Sequence, residues 1–272
     1  MQTTSERSSN GILGSLGSFL RKCVFQILSV GPIPRHVAFI MGGNRRYARK
    51  QNLSETASYT AGFLALMSIL KYCYELGIQY VTLYAFSIDN FKRLPHEVKH
   101  VMDLMQEKLQ AMLKKQSILH SYGIRVRFLG DLKLLNDPLR LLAEEAMTAT
   151  AKNSKMVLLI CVAYTSTNEI LRAVHGCCRE KMEENPEDPM IVKVGDLERH
   201  MDTAMIPEPD ILIRTSGETR LSNFLLWQTT YCYLYSPSVL WPEISLRHLV
   251  WGILNFQRLH PNLEQQKKKK LN

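Results

Sequence analysis

The stretch HVAFIMGGNRR, residues 36–46, joins a short apolar run to two glycines and two arginines. A run with so few polar side chains is typical of a β strand that is covered on both faces. The glycines mark a turn directly after it. We therefore interpret residues 36–41 as a buried strand that is followed at once by a polar cluster.

The same kind of segment recurs along the chain. Candidate strands rich in Val, Ile, Leu and Tyr span residues 36–41, 79–86, 124–130, 156–164, 210–214 and 231–235. Patterns of helical period lie between them, notably at residues 59–76, 96–122, 138–152 and 168–184. This alternation predicts an α/β fold, a single domain with a central, mostly parallel six-stranded sheet flanked by helices. In such a sheet the functional site lies at the carboxyl ends of the strands.

Length and composition fit one folded domain, because the chain has 272 residues, of which 46% are hydrophobic and 22% charged. The net charge of +9 predicts an anionic partner: nucleic acid, acidic lipid or a phosphorylated small molecule. No recognition-helix or aromatic-platform motif accompanies the lysines, so nucleic acid is the weakest of these. Six cysteines without a CxxC pair predict reduced, packed thiols and a cytosolic compartment, and no cleavable signal peptide is visible.

The ends of the chain differ from its middle. Residues 1–30 form an amphipathic N-terminal segment, residues 31–260 the main domain, and residues 261–272 a basic polar tail. Arg21 and Lys22 interrupt the apolar N-terminal run, which makes it a poor transmembrane span. It is expected to lie on a membrane surface, to pack on a partner or to cap its own domain. The lysines at 267–270 are interpreted first as a solvated tail and second as a membrane or nucleic-acid contact.

Three polar clusters follow predicted strands. The first, residues 42–46, has glycines that let backbone N–H groups approach a phosphate and arginines suited to bidentate contacts. The second, FSIDNFKR at residues 86–93, suits an apolar chain beside a charged head, although a helix capped by Ser87 or Asp89 is the simpler reading. The third, RTSGETRLSN at residues 214–223, has donors for a diphosphate. Its simpler reading is a surface turn in which Glu218 pairs with Arg214 or Arg220.

Five blocks of the chain together resemble the signature blocks of cis-prenyltransferases, closest to the eukaryotic dehydrodolichyl diphosphate synthases and the plant rubber-type enzymes. The blocks are HVAFIMGGNRRYA (36–48), YVTLYAFSIDNFKR (80–93), VRFLGDLKLL (126–135), DILIRTSGETRLSNFLLWQ (210–228) and VLWPE (239–243). The resemblance implies repeated cis addition of isopentenyl diphosphate to an allylic diphosphate such as farnesyl diphosphate, with Mg²⁺ and a hydrophobic product tunnel. Helical stripes at residues 63–70 and 101–113 are candidates for that tunnel, although such stripes more often form plain core.

The resemblance also implies residue roles. Arg214, Arg220 and Ser222 match the positions that hold isopentenyl diphosphate. The loop that grips the allylic diphosphate corresponds to Gly43, Asn44, Arg45 and Arg46. Asn90 and Arg93, with Phe86 and Ser87, fall in the block near the reacting ends.

Three positions depart from the family pattern. Gly42 stands where the family has the Asp that carries magnesium, so only the position of the metal site remains, without its ligand. Tyr233 matches a bacterial Glu ligand, and Tyr59 matches a position that is often His. Residues for binding are retained while residues for ionisation are missing. The chain is therefore expected to be an impaired synthase or, alternatively, a non-catalytic homologue that binds diphosphates or a partner subunit.

A partner is expected from the end of the sequence. Relatives that act alone close the site with an Arg-x-Gly tail, whereas this chain runs FQRLHP at residues 256–261 and then polar residues. Related subunits without that tail borrow it from a Nogo-B-receptor-like partner, so the resemblance implies a hetero-oligomer. An apolar, basic N-terminus and a water-insoluble product suggest peripheral membrane contact, at the cytosolic face of the endoplasmic reticulum, or a cytosolic location.

Overall fold

A computed structural model describes residues 5–114, 119, 122–184 and 191–271. The helices within these ranges are α1 (Ser5–Leu28), α2 (Asn44–Lys50), α3 (Glu55–Glu75), α4 (Pro95–Lys114), α5 (Asp137–Ala149), α6 (Ser166–Glu184), α7 (Val194–Arg199) and α8 (Leu246–Leu271). The strands are β1 (His36–Ile40), β2 (Tyr80–Ser87), β3 (Ile124–Leu129), β4 (Met156–Tyr164), β5 (Ile211–Arg214) and β6 (Tyr233–Tyr235). Short 3₁₀ turns occupy Ile88–Lys92, Leu132–Leu134 and Trp241–Glu243.

The six strands form one sheet in the order β3-β4-β2-β1-β5-β6. Every neighbouring pair is parallel. The predicted α/β fold with a six-stranded sheet is therefore confirmed, and the sheet is wholly rather than mostly parallel. Ile40 at the end of β1 is in register with Tyr84 of β2 on one side and with Arg214 of β5 on the other. That register brings the carboxyl ends of three strands together.

All five side chains of β1 are buried, which agrees with a strand covered on both faces. Successive side chains of a strand point to opposite faces. Val37 and Phe39 accordingly join a core cluster with residues of α1, α3 and α8, while Ala38 and Ile40 join a second cluster with Tyr164. Central β1 thus supplies apolar contacts to both layers and holds the residues that follow it in a rigid frame.

Most predicted elements exist, with shifted ends. The helix predicted at 59–76 begins earlier, at Glu55, because the side chain of Ser54 caps it by accepting a hydrogen bond from the Ala57 amide at 3.2 Å. The helix predicted at 96–122 is α4, and residues 115–118, 120 and 121 lie outside the described residues. The strand predicted at 231–235 begins only at Tyr233.

The two ends of the chain are helical in the described residues. α1 packs Phe25 and Leu28 into the core and leaves Phe19 and Ile27 more than half exposed. It therefore caps its own domain with one face and keeps an apolar face free. None of the helices in the described ranges combines the length and apolar character needed to cross a bilayer.

The basic end is helical in the described residues, and Lys268 and Lys269 are exposed, as expected of a solvated segment. Helix α8 continues through Pro261 to Leu271. The ammonium group of Lys267 lies 3.6 Å from the carboxylate of Asp210, the residue that precedes β5. A helix with one apolar face on the core carries these lysines, so their placement is set by packing of the residues before them.

The cysteines are unpaired, as predicted, and half of them are fully packed. All six cysteines are free thiols, and three of them, Cys73, Cys161 and Cys177, are buried. Burial raises the pKa of the Cys73 thiol to about 12, which keeps it protonated and unreactive at neutral pH.

Candidate active site

The three predicted clusters meet in one depression at the carboxyl ends of the strands. We call it the polar pocket; its volume is about 700 Å³. It is lined by Ile40, Met41, Gly42, Gly43, Asn44, Arg45, Arg46, Tyr59, Tyr84, Ala85, Phe86, Ser87, Asp89, Asn90, Arg93, Val101, Ser222 and Asn223. Parallel pairing explains this convergence, because all strand ends of the same polarity lie at one edge of the sheet.

Gly42 lies where β1 and β5 come closest. Its carbonyl oxygen accepts hydrogen bonds from Thr215 Oγ1 at 2.8 Å and from the Trp241 amide at 2.9 Å. A Cβ atom added at residue 42 would stand 2.7 Å from Ser216 Oγ and 2.9 Å from the Thr215 carbonyl oxygen. Real Cβ atoms do not approach so closely, so any side chain at Gly42 requires the Ser216 loop to shift.

At residue 43 the backbone conformation itself requires a glycine. Its φ angle of +106° lies in the region that L side chains rarely adopt. A Cβ atom there would also come within 2.9 Å of the Leu240 side chain. The turn that starts α2 at Asn44 therefore depends on glycine, and it directs Arg45 and Arg46 to the rim of the polar pocket.

Arg214 is the most enclosed of the predicted phosphate-holding arginines. It is 7% exposed, and burial followed by the nearby Arg220 charge lowers its pKa, although it stays protonated. Its Nη1 donates to Ser222 Oγ at 2.8 Å and to the Arg220 carbonyl oxygen. Its Nε is buried and has no hydrogen-bond partner in the structure. An unpartnered buried donor is uncommon, and an anion bound beside Arg214 would satisfy it.

Glu218 connects the other two arginines. Its carboxylate accepts from Arg46 Nη2 at 3.1 Å and from Arg220 Nη1. Hydrogen bonding to Arg220 and the charges around it lower the pKa of Glu218, so it is ionised. The salt-bridged turn is confirmed for Arg220, but Arg46, not Arg214, is the second partner. Of the three arginines, Arg46 lines the polar pocket, whereas Arg214, which is buried, and Arg220, which is exposed, are not among the lining residues.

The second cluster is both a capped turn and a pocket wall. Ser87 Oγ accepts from the Asp89 amide at 3.1 Å, as the capping interpretation predicted. Asn90 Oδ1 accepts from Arg93 Nη2 at 3.0 Å, so these two side chains form one unit. Phe86 is buried with its ring edge-on to a neighbouring phenylalanine, and it also reaches the polar pocket. The two interpretations of this cluster are compatible.

A second, apolar cavity of about 220 Å³ adjoins the polar pocket between the sheet and helices α3 and α4. The predicted stripes contribute Phe63, Leu66, Met67, Leu70, Val101, Leu104, Met105, Leu109 and Met112 to its wall. Six residues line both spaces and form a throat between them: Met41, Asn44, Tyr59, Tyr84, Ala85 and Val101. A polar head and an apolar chain therefore have adjoining places.

Sequence reasoning missed Tyr84 and Glu169. Tyr84 Oη donates toward the carbonyl oxygens of Tyr164 at 3.2 Å and Ser222 at 3.3 Å, which ties β2 to the loop after β5. Glu169 is 1% exposed and accepts from Tyr164 Oη at 2.5 Å and from Gln228 Nε2 at 3.0 Å. Burial raises the pKa of Glu169. The position of Glu169 shortly after β4 was a usable signal, since the other clusters also follow strands.

The oxygen atoms of the site do not form a set of protein carboxylate ligands for a magnesium ion. Gly42 supplies no ligand, and within the described ranges no group of three or more His, Cys, Asp or Glu side chains is arranged to hold a metal. The carboxylate of Asp89 is bound to Lys92 Nζ at 2.7 Å. Glu218 is engaged by two arginines. Magnesium at a phosphate site is usually held by one or two protein carboxylates together with the phosphate oxygens. Gly42 provides no such carboxylate, and the two carboxylates named above already carry cationic partners.

Comparison with known proteins gives consistent matches. A prenyltransferase family model described as undecaprenyl diphosphate synthase matches residues 40–263. A dehydrodolichyl diphosphate synthase of Solanum lycopersicum is 52% identical over 288 aligned residues, which cover 98% of this chain and 99% of the relative. A dehydrodolichyl diphosphate synthase complex subunit of Homo sapiens is 43% identical over 93% of this chain and 75% of its own length.

A solved structure has the same fold. The lavandulyl diphosphate synthase of Lavandula x intermedia, in complex with dimethylallyl diphosphate, superposes with a TM-score of 0.76 at 28% identity. The superposition covers 82% of this chain and 95% of the lavender protein. The similarity therefore extends over nearly the whole sheet and its helices.

Proposed function

Because this chain belongs to the undecaprenyl diphosphate synthase family of prenyltransferases, we propose that it acts on two isoprenoid diphosphates and makes a long-chain, dehydrodolichyl-type polyprenyl diphosphate. The substrates of the proposal are isopentenyl diphosphate and an allylic diphosphate such as farnesyl diphosphate. The observation that carries it is the throat at which an arginine-lined polar pocket meets an apolar cavity. A charged head that carries a growing hydrocarbon chain requires that pairing of environments.

In this proposal the two diphosphates have different holders. Arg214, Arg220 and Ser222 hold isopentenyl diphosphate. Two features of Arg214 support this role: its Nε has no hydrogen-bond partner, and its Nη1 donates a hydrogen bond to Ser222 Oγ. The allylic diphosphate is held by Gly43, Asn44, Arg45 and Arg46, which line the pocket together. Asn90 and Arg93, with Phe86 and Ser87, face the reacting ends. Glu218 keeps Arg46 and Arg220 side by side before either diphosphate arrives.

The chemistry follows from where negative charge develops. Ionisation of an allylic diphosphate leaves an allylic cation and builds negative charge on the leaving diphosphate. Preorganised arginines stabilise that charge without reorganising during the reaction. Magnesium, on which the family generally depends, would supply further charge neutralisation when bound. Since no carboxylate is available at Gly42 to hold it, we propose that turnover is impaired in this chain.

A second candidate function is a non-catalytic subunit that binds diphosphates or a partner. The observation that favours it is the close packing at Gly42, where the Ser216 hydroxyl fills the space that a carboxylate side chain would need. One assay separates the two functions: labelled isopentenyl diphosphate, farnesyl diphosphate and magnesium are incubated with the chain, alone and with its partner subunit. Elongated product supports the synthase. Saturable binding of farnesyl diphosphate without product supports the second function.

Ala85→Leu is expected to restrict product length. Ala85 lines the throat between the polar pocket and the apolar cavity, so a larger side chain obstructs the path of the product. Long products should fall by about tenfold or more relative to short ones, since a methylene or two in a hydrophobic pocket discriminates by that amount. Chromatography of the labelled products, in whichever of the wild-type and Gly42→Asp forms turns over, measures the effect. Ala85→Ser is the size-matched control, and an unchanged length distribution in Ala85→Leu would contradict the role of the throat.

We also propose that the chain assembles with a Nogo-B-receptor-like subunit. The human relative is named as a complex subunit. Trp251 and Leu254 of α8, with exposures of 57% and 39%, form an apolar surface suited to a partner. Helix α8 packs on β6, the strand at one edge of the sheet. Edge strands with open backbone groups and exposed apolar side chains are typical of interfaces.

The double substitution Trp251→Glu/Leu254→Glu is expected to abolish this association, because it buries two charges in an apolar contact. Size-exclusion chromatography with light scattering, on chain and partner co-expressed, measures complex formation. Leu141→Glu on α5, whose leucine is 59% exposed, is the matched control and should leave the complex intact. Retention of the complex by the double variant would exclude this surface.

For location we propose peripheral association with the cytosolic face of the endoplasmic reticulum, with a cytosolic pool. The exposed face of α1, with Phe19, Leu20 and Ile27, and the exposed Val30 just after the helix support a membrane contact. Cell fractionation tests the proposal, which requires that high salt or carbonate release the chain from the membrane fraction.

A further inference from the structure

We propose that the polar pocket binds the diphosphate group as a free anion, with its arginines in the place of a divalent cation. This inference rests on the proposed diphosphate function and adds how the charge of the ligand is neutralised. Inorganic diphosphate and an isoprenoid diphosphate share the recognised chemistry, so both are predicted to bind in this way.

The first support is that the natural place for a cation has closed. The end of β1 touches the loop after β5 through the Thr215 and Ser216 contacts at Gly42. A carboxylate cannot be added at residue 42 without displacing the Ser216 hydroxyl. Among the described residues that line the polar pocket, Asp89 is then the one carboxylate, and it lies in the turn after β2 rather than beside Gly42.

The second support is that the carboxylates at the rim are already neutralised. Arg45 Nη2 lies 3.2 Å from Glu97, and Lys92 lies 2.7 Å from Asp89. Glu218 bridges Arg46 and Arg220. A cation that took a remaining oxygen of one of these carboxylates would lie close to the arginine or lysine paired with it, and that positive charge would repel it.

The third support is the supply of donors to the anion. Arg45, Arg46 and Arg93 are the cationic side chains that line the polar pocket. The adjoining cations are Lys92, Arg214 and Arg220, whereas the paired carboxylates are those of Asp89, Glu97 and Glu218, so positive charge prevails even after the ion pairs are counted. Arg214 is 7% exposed, and its Nε is buried without a partner. Guanidinium groups match phosphate oxygens with paired donors and remain charged when partly buried. They neutralise a diphosphate without a metal.

A measurable consequence follows from competition in solution. Magnesium forms a complex with free diphosphate and so removes the species that the pocket prefers. Added magnesium is therefore expected to leave the apparent affinity of the protein for diphosphate unchanged or to lower it. A site that holds a divalent cation would instead bind diphosphate more tightly when magnesium is added.

Isothermal titration calorimetry tests the inference with the full chain. Inorganic diphosphate and farnesyl diphosphate are titrated separately, each in EDTA and in millimolar magnesium. Dissociation constants in EDTA that are equal to or lower than those in magnesium support the inference. Binding that is about tenfold or more tighter in magnesium would overturn it and leave the diphosphate function intact. If neither ligand binds in either buffer, the diphosphate function itself is overturned.

A paired variant sharpens the test. Gly42→Asp/Ser216→Gly adds a carboxylate and removes the hydroxyl that would collide with it. Its affinity for both ligands is expected to become about tenfold or more dependent on magnesium. Ser216→Gly alone is the matched control and should behave like the wild type. The wild-type comparison still decides the inference if thermal unfolding shows that the double variant is not folded, and magnesium dependence in the Ser216→Gly control would count against it.

Discussion

Synthase activity is expected to rise by roughly a thousandfold when Gly42 is replaced by Asp, because several kcal/mol of transition-state stabilisation depend on a metal-bearing carboxylate at this position. Gly42 lies at the end of β1 on the wall of the polar pocket, where ionisation of the allylic diphosphate is proposed. The measurement is incorporation of labelled isopentenyl diphosphate into extractable product, with the partner subunit and magnesium present.

Two companion variants make the result interpretable. Gly42→Asn has nearly the shape of Gly42→Asp but no charge, so it should stay near the wild-type rate if the carboxylate is responsible. Gly42→Asp/Ser216→Gly removes the 2.7 Å contact that a Cβ atom at residue 42 would make with Ser216 Oγ. If neither Asp variant exceeds Gly42→Asn while both remain folded, the chain is not a disabled synthase and the binding function is favoured.

Replacing Arg214 by Ala is expected to weaken diphosphate binding by about 10- to 150-fold, which corresponds to the roughly 1.5–3 kcal/mol of a charge-assisted hydrogen bond. The buried guanidinium offers a free Nε, and its Nη1 positions Ser222 Oγ. Calorimetric titration of inorganic diphosphate measures the loss. Arg214→Lys keeps the charge but not the planar set of donors, so its affinity should fall between those of the wild type and Arg214→Ala.

Stability must be separated from binding in this experiment, because Arg214 is buried at the end of β5. Thermal unfolding of each variant shows whether the fold is retained. Arg125→Ala, an exposed arginine on β3, is the control for loss of one positive charge and should bind as the wild type does. A loss of less than about threefold in a folded Arg214→Ala protein would contradict the assigned role of this arginine.

The two predictions address different steps. Arg214 is assigned to holding the ligand, whereas Gly42 marks what is missing for ionisation. A chain that loses affinity through Arg214→Ala but gains no activity through Gly42→Asp would be a binding subunit. A chain that responds to both would be a synthase that lacks one carboxylate.

Much of the fold was predictable because its signals are local. The apolar runs at β1 and β4 and the helical periodicity of α3 and α6 are patterns within single elements. Their alternation implied a parallel sheet, and the parallel sheet implied a site at its carboxyl edge. The helical form of the basic end was not predicted, because Pro261 suggested a break, whereas helix α8 continues through it after residues that pack on the core.

The details of the candidate site were less predictable. Glu218 was expected to pair within its own turn, yet it also binds Arg46, 172 residues away in the sequence. Arg214 and Arg220 were expected to hold a diphosphate, yet neither is among the residues that line the polar pocket. The collision of any side chain at Gly42 with Ser216 was invisible in the linear chain, since it depends on how β1 and β5 pair.

The amino-acid sequence by itself determined the sheet, the edge at which polar residues gather and the absence of a carboxylate at residue 42. Only the tertiary structure decided which arginine reaches the pocket, which carboxylates are already paired and how little room remains beside Gly42. The physical reason is the sequence separation of the interacting residues. Strand and helix patterns arise from neighbours a few residues apart, whereas ion pairs and close contacts depend on strand register and on side-chain directions across the sheet.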